Sequence, residues 1–259
     1  MTKVSRIAIL ATSAIGLALG ASQATAQDTV RIGTEGAYPP YNFTDSDGNL
    51  VGFEIDLAKA LCDEMGVECT FVAQDWDGII PALLASRYDA IMAGMSITAE
   101  REEVVDFTRM YFTTPARFVA AKDSDITETT PEALEGLTIG TQSATIHANF
   151  LEDVYGDSDI RLYPTQDEVN LDLAAGRIDA LLVDSSAIQG WLESDDGACC
   201  AFLPGDYTDP EYFGEGVGIA MREDDDELRE RFNTAITALE ANGTIDELAA
   251  LWFPFMVAE

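Results

Sequence analysis

PALLASRYDAIMAG (residues 81–94) returns later in the chain as LDLAAGRIDALLVD (171–184). Each copy reads as a helix, then Arg, a short turn, Asp-Ala and an apolar strand. Working outward from the first copy, TVRIGT, LVGFEI and CTFVAQ read as strands, with DLAKALCDEMG as an amphipathic helix among them. Around the second copy, LTIGTQ and IRLYPT read as strands, with TIHANFLEDVYG as a helix between them. Strands alternating with helices of about 10–15 residues predict βαβ units and mainly parallel sheets. Each half therefore owns an α/β lobe. The tail predicts a strand in YFGEGVGIAM, a long helix with an apolar stripe (Leu228, Phe232, Ile236, Leu239), and a short final helix after Gly243.

Lobes of this kind bind ligands beyond the carboxyl ends of their strands. Both echoed strands end in polar residues there: Ser96 and Arg101 after the first, Asp184 and Ser185 at the second. Arg101 falls in the first turn of a helix that Thr98 is placed to cap, among Glu100, Glu102 and Glu103. A helix start favours acids, so a cation is electrostatically out of place. Either it reaches a neighbouring Glu on the surface, or its planar fork holds a carboxylate. Asp184 either pairs with an ammonium or caps the helix SAIQGWL. Tyr38, in TEGAYPPYNF, and Trp76, in AQDWDG, sit in strand-end loops, where they either stack on a ligand or pack the core.

Charge narrows the partners. With 14 Lys+Arg against 47 Asp+Glu, the formal charge is −33, which argues against nucleic acid and anionic membranes. The first 26 residues combine a basic MTKVSR, an apolar IAILATSAIGLAL and a small-residue site at Ala24–Ala26, the pattern of a cleaved export signal. No Cys follows that site to carry a lipid. Four cysteines suit an oxidising compartment. Gly66 can end a helix between Cys62 and Cys69 and let their sulfurs meet; Cys199 and Cys200 could be a bridge between neighbours or two thiols. Catalytic signatures are poor: one histidine, His147, read as a helix-face residue, no Gly-x-Ser-x-Gly elbow and no phosphate loop. Carboxylate-only chemistry stays open. No metal or cofactor is expected.

RIGTEGAYPPYNF, GNLVGFEIDLAKALC, DWDGIIPALLASRYDAIMAGMSITAER, AAGRIDALLVD and YFGEGVGIAMR together resemble the polar amino-acid binding proteins of bacterial ABC importers. The likeness covers essentially the whole mature chain and is nearest the lysine/arginine/ornithine, histidine and opine binders. The resemblance implies a type II periplasmic binding protein: two α/β lobes joined by two crossover strands, closing on ligand about a hinge. It implies one lobe of residues 27–113 plus 207–259 and another of 114–206. It further implies that Arg101 grips an α-carboxylate, helped by Ser96 and the backbone near Gly94 and Thr145, while Asp184 holds the α-ammonium. Tyr38 and Trp76 would stack along the ligand side chain, and Glu35 would face its far end. Cys62 and Cys69 match the disulfide of the basic amino-acid binders.

The chain departs from the family at three points. Ala93-Gly94 stand where paired serines are usual, Ala144 where a hydroxyl is common, and Glu35 where Asp is commoner. The expectation is a periplasmic, monomeric carrier that delivers a basic amino acid or related guanidino compound or opine to an inner-membrane permease. The alternatives are a neutral polar ligand such as glutamine, or an enzyme on the same fold of the cyclohexadienyl dehydratase kind.

Overall fold

The two echoed segments fold alike, and the reason lies in the residues they share. In the computed structural model, which describes residues 28–254, Asp89 accepts from the Arg31 backbone N–H at 3.0 Å. Asp179 accepts from the Thr138 N–H at 2.7 Å. Each Asp thus ties the start of its own strand to the parallel strand beside it, Thr29–Thr34 or Thr138–Gln142. The residue before each Asp then packs on a glycine of that neighbouring strand. A Cβ at Gly33 would meet the Tyr88 ring at 2.5 Å, and one at Gly140 would meet Ile178 Cδ1 at 2.5 Å. Ile-Gly-Thr at 32–34 and at 139–141 is therefore a second repeat, one that the reading of the sequence did not use.

Two five-stranded sheets result. The first runs Glu68–Ala73, Thr29–Thr34, Ala90–Ile91, Ala220–Met221, Asp106–Phe107. The second runs Asp159–Tyr163, Thr138–Gln142, Ala180–Asp184, Ala116–Ala121, Cys200–Phe202. Parallel pairing holds within the βαβ units, but Ala220–Met221 in one sheet and Ala116–Ala121 in the other run antiparallel to their neighbours. The molecule is two-lobed. Between the sheets the chain passes twice, and the two passes lie beside one another, bridged at Phe112–Val217 and Ala116–Tyr207.

Helices cover both faces of each sheet. In the first lobe, Phe53–Met65 and Asp226–Ala241 bury Phe53, Leu57, Leu61, Phe232 and Ile236 on one side. Ile79, Leu83 and Tyr88 pack the other. In the second lobe Phe118, Ile139, Leu151 and Leu182 form a separate cluster. Among the described residues no helix is long and apolar enough to cross a membrane. The expected export signal at 1–26 lies outside the described residues.

Several boundaries differ from expectation. LVGFEI is strand only at Leu50–Val51; the helix starts at Phe53, because Glu54 turns inward to a buried hydrogen-bond set. YFGEGVGIAM contributes a short helix, Pro210–Phe213, and just Ala220–Met221 as strand. Gly214 and Gly216 sit at positive φ there, and a Cβ at Gly214 would meet the Ile97 carbonyl oxygen at 2.1 Å. The chain is irregular at this point because the second pass must lie close against Ile97.

Cys62 and Cys69 are bonded, with Cα atoms 5.9 Å apart. Gly66 ends the helix between them in the left-handed conformation, as its place in the sequence predicts. Cys199 and Cys200 are joined as neighbours. For the short loop closed by Cys62–Cys69, chain entropy predicts a contribution of roughly 2 kcal/mol. The variant Cys62→Ser/Cys69→Ser should therefore unfold at lower denaturant by about that much, with ligand affinity unchanged. An unaltered midpoint would show that the bridge carries no stability.

Candidate functional site

Glu35, Tyr38, Trp76, Gly94, Ser96, Arg101, Thr145 and Asp184 all line one cavity, partly open to solvent, between the two lobes. Ala93, Gln142, Ile146, His147 and Gln166 complete its wall. Every residue singled out from sequence as a ligand contact is brought to this one place, and each arrives at the end of a strand or in the loop after it.

Arg101 begins a single 3-10 turn, Arg101–Glu103, rather than a helix. Thr98 caps it, accepting the Arg101 backbone N–H at 3.3 Å. The side chain does not reach a surface glutamate. Its Nη1 donates to the Ser96 carbonyl at 2.9 Å, and the guanidinium lies over the Trp76 ring, 5.3 Å from the centroid. Among the described residues it has no ion-pair partner. Burial pushes its pKa down to about 10, against the opposing pull of Glu100 and Asp184. It stays charged at neutral pH, a half-buried fork presented to the cavity.

Asp184 ends its strand at the N-cap position of the helix Ser185–Leu192, yet its carboxylate makes no capping bond. The capping alternative is thereby excluded. Oδ2 instead accepts from the Tyr38 hydroxyl across the cleft at 2.7 Å. Tyr38 also stacks on Tyr41, centroids 5.6 Å apart, and Tyr41 meets Ser186 of the other lobe at 2.7 Å.

Glu35 is buried, 8 % exposed, and accepts from Gln142 Nε2 at 2.6 Å. Both residues follow an Ile-Gly-Thr, so the ends of the strands Thr29–Thr34 and Thr138–Gln142 meet face to face. Burial pushes the Glu35 carboxyl up to about 7; the Gln142 bond opposes this, and Asp167, Asp75 and Glu54 add to it.

Two of these positions already have part of their hydrogen-bonding capacity engaged. The Gly94 N–H is already donated to Glu54 Oε1 at 2.7 Å, so Gly94 shapes the wall but offers no free donor. The Thr145 hydroxyl donates to the Gln142 carbonyl at 2.8 Å and accepts from Ala148 N–H at 3.2 Å, capping Ile146–Val154. What remains at Thr145 is the open helix start, whose free N–H groups suit an anion. Ala144, at φ 54, turns its carbonyl to Trp76 Nε1 at 2.9 Å, so the lost hydroxyl is replaced by a bond between lobes.

Glu54 was missed. Fully buried in the first turn of its helix, it accepts from Asn42 Nδ2 at 2.7 Å, from Gly94, and from the Tyr111 hydroxyl. Burial raises its pKa while these three donors oppose the rise. It fixes the loop that carries Ala93 and Gly94. Nothing in FEIDLAK marks that role beyond an acid on an otherwise apolar face.

The fold and this cleft define a two-lobed periplasmic binding protein of type II. Residues 30–255 match the family of bacterial extracellular solute-binding proteins, family 3, and the chain belongs to it. An L-arginine-binding protein of Pseudomonas aeruginosa is 41 % identical over 261 residues, 99 % of this chain and 98 % of that one. A periplasmic binding protein of Salmonella typhimurium, described for its high arginine specificity, superposes with a TM-score of 0.81 at 33 % identity, covering 87 % of this chain and 99 % of that one. A lysine complex of a His/Glu/Gln/Arg/opine family-binding protein from Silicibacter pomeroyi gives 0.77 at 38 %, covering 86 % and 96 %. These relatives are binding proteins, not enzymes.

Proposed function

We propose that this chain captures a basic amino acid, with arginine the best fit, and hands it to the permease of an ABC importer. The observation that carries this reading is Arg101: a half-buried guanidinium with no ion pair among the described residues, sharing a cavity with the carboxylates of Asp184 and Glu35. An amino acid with a cationic side chain answers all three. Arg101 takes the α-carboxylate bidentately, with Ser96 and the helix start at Thr145 beside it. Asp184 takes the α-ammonium. Tyr38 and Trp76 flank the side chain, and Glu35 faces its cationic end. The lobes are taken as 27–113 plus 207–259 and 114–206, with Tyr207 and Phe213 packing onto the second lobe's core where the chain crosses back. The carrier is read as a monomer, exported to the periplasm by its leader.

Magnitudes agree with engulfment. Micromolar affinity needs about −8.2 kcal/mol, which for a ligand of about 12 heavy atoms is about 0.7 kcal/mol per atom, beneath the ceiling of about 1.5. Buried ligand charges without partners would cost several kcal/mol each. Isothermal titration of stripped protein against arginine, lysine, ornithine, histidine, opines and glutamine tests the reading. Tight heat with one or more cationic ligands is expected, and silence from all of them would overturn it.

Glutamine stays as a second reading because of Glu35 itself. A carboxyl held near 7 is protonated in part at neutral pH, and in that form it can donate to a side-chain amide oxygen. pH separates the two. A cation at Glu35 favours its ionised form, so arginine lowers the Glu35 pKa and binding releases a proton. Arginine affinity should then be full above pH 7 and fall as pH drops through 7 toward 5.5, by up to tenfold per pH unit. Glutamine affinity should not fall in that window through Glu35, and Glu35→Gln should flatten the arginine curve while weakening arginine more than glutamine. An arginine affinity flat from pH 8 to 5.5 would show that Glu35 does not face the cation.

A further inference from the structure

The chain holds a single histidine, and neither the sequence reading nor the roles given above use it. His147 is the second residue of the helix Ile146–Val154, 5 % exposed, with its side chain on the cavity wall. Its Nε2 is enclosed and makes no hydrogen bond among the described residues. That nitrogen faces Asp184 Oδ1 at 3.5 Å, and the Phe213 ring packs beside the imidazole with centroids 6.0 Å apart. Asp184 Oδ2 is engaged by the Tyr38 hydroxyl, so Oδ1 and Nε2 face one another at this end of the cleft.

A buried polar atom left without a partner is costly, and native structures rarely keep one without a use. Neutral imidazole with its proton on Nδ1 presents Nε2 as an acceptor. Two acceptors 3.5 Å apart can both be reached, at ordinary hydrogen-bond length, by one nitrogen that carries several N–H groups. An ammonium carries three. A hydroxyl has one proton and can satisfy just one of the pair. A neutral amide N–H has the same shortcoming.

We propose that His147 Nε2 accepts a hydrogen bond directly from the α-ammonium of the bound amino acid, beside Asp184 Oδ1, and so selects for a free α-amine. This rests on the amino-acid reading of the cleft. It makes the amine end a two-acceptor site, one charged and one neutral, shared between the strand Ala180–Asp184 and the helix start. Acylating or deleting the ligand amine leaves both acceptors without their donor, so selection at this end is against the wrong ligand as much as for the right one.

The test pairs two ligands with two variants. Titrations use arginine and 5-guanidinopentanoic acid, the same molecule without its amine, the weaker ligand being measured by competition. His147→Ala should weaken arginine roughly 10- to 100-fold, the range for a hydrogen bond to a charged group. It should move the desamino acid less than about twofold on the same reasoning. His147→Gln, whose amide oxygen can accept, should recover most of the loss. Because the chain has one histidine, a tag-free sample labelled with ¹⁵N-histidine gives one imidazole to observe. In the arginine complex Nε2 should be unprotonated and Nδ1 protonated. Equal losses for both ligands, no loss for arginine, or a protonated Nε2 in the complex would each overturn the proposal. If the wild-type protein binds no amino acid at all, the reading of the cleft fails and this inference with it. If wild-type binding is normal and the variants match it, the role of His147 alone is lost.

Discussion

Arg101→Ala should weaken arginine binding by roughly 10²- to 10³-fold, the loss expected when one partner of a buried, bidentate charge pair is truncated. The side chain is already aimed: Ser96 holds Nη1, and Trp76 supports the guanidinium plane. Little ordering is therefore left for the ligand to drive, and the interaction is realised almost in full on binding. Arg101→Lys should recover only part of the affinity, since an ammonium presents a point charge where a carboxylate expects a fork. Stability of the unliganded protein should move the other way. Burial pushes the Arg101 pKa down to about 10, a sign that the folded chain bears an uncompensated charge, so removing it should leave the melting temperature unchanged or higher. Titration and melting together decide the matter. A variant that binds arginine within threefold of wild type would exclude Arg101 as the carboxylate clamp, and one that unfolds would make Arg101 a structural residue.

Asp184→Asn should cost roughly 10²-fold or more for any ligand with an α-ammonium, by the same reasoning applied to the opposite charge. The substitution keeps the shape and an oxygen that can accept from Tyr38, so the contact between lobes survives while the charge does not. A ligand without the amine should lose far less. A large loss for the desamino acid as well would mean that Asp184 acts through closure rather than through the amine. The two single losses should not add in a double variant, because a zwitterion that has lost one anchor no longer places its other end.

How much of this was legible depends on which residues repeat. The lobes were visible because helix, Arg, Asp-Ala and strand recur, and the recurrence has a mechanical cause: Asp89 and Asp179 tie each strand to its neighbour. Ser96, Arg101, Asp184, Tyr38 and Trp76 were visible because strand ends are where such folds bind, whereas Glu35, Gly94 and Thr145 came only with the family resemblance. What stayed hidden involved partners far apart in the chain. Glu35 finds Gln142, and Asp184 finds Tyr38 and His147; no local pattern encodes those meetings. Glu54 was hidden for a different reason. It stands in a helix whose acids otherwise face solvent, and only burial separates it from them. LVGFEI was misread because alternating apolar residues fit a strand, whereas Gly52 at φ 129 breaks the strand and starts the helix.

Among the described residues, six hydrogen bonds cross the cleft between protein groups alone: Tyr38 to Asp184, Tyr41 to Ser186, Trp76 to Ala144, Glu35 to Gln142, Asp77 to Ser143 and Glu100 to Asn149. A net worth of about 0.5–1.5 kcal/mol apiece is ordinary for such bonds, and each tenfold change in a population takes about 1.4 kcal/mol. The jaws thus hold a built-in inclination to shut that owes nothing to cargo. An importer that recognised shape alone would sometimes hydrolyse ATP on an empty delivery. Economy of transport would then rest on how far arginine outdoes this intrinsic grip.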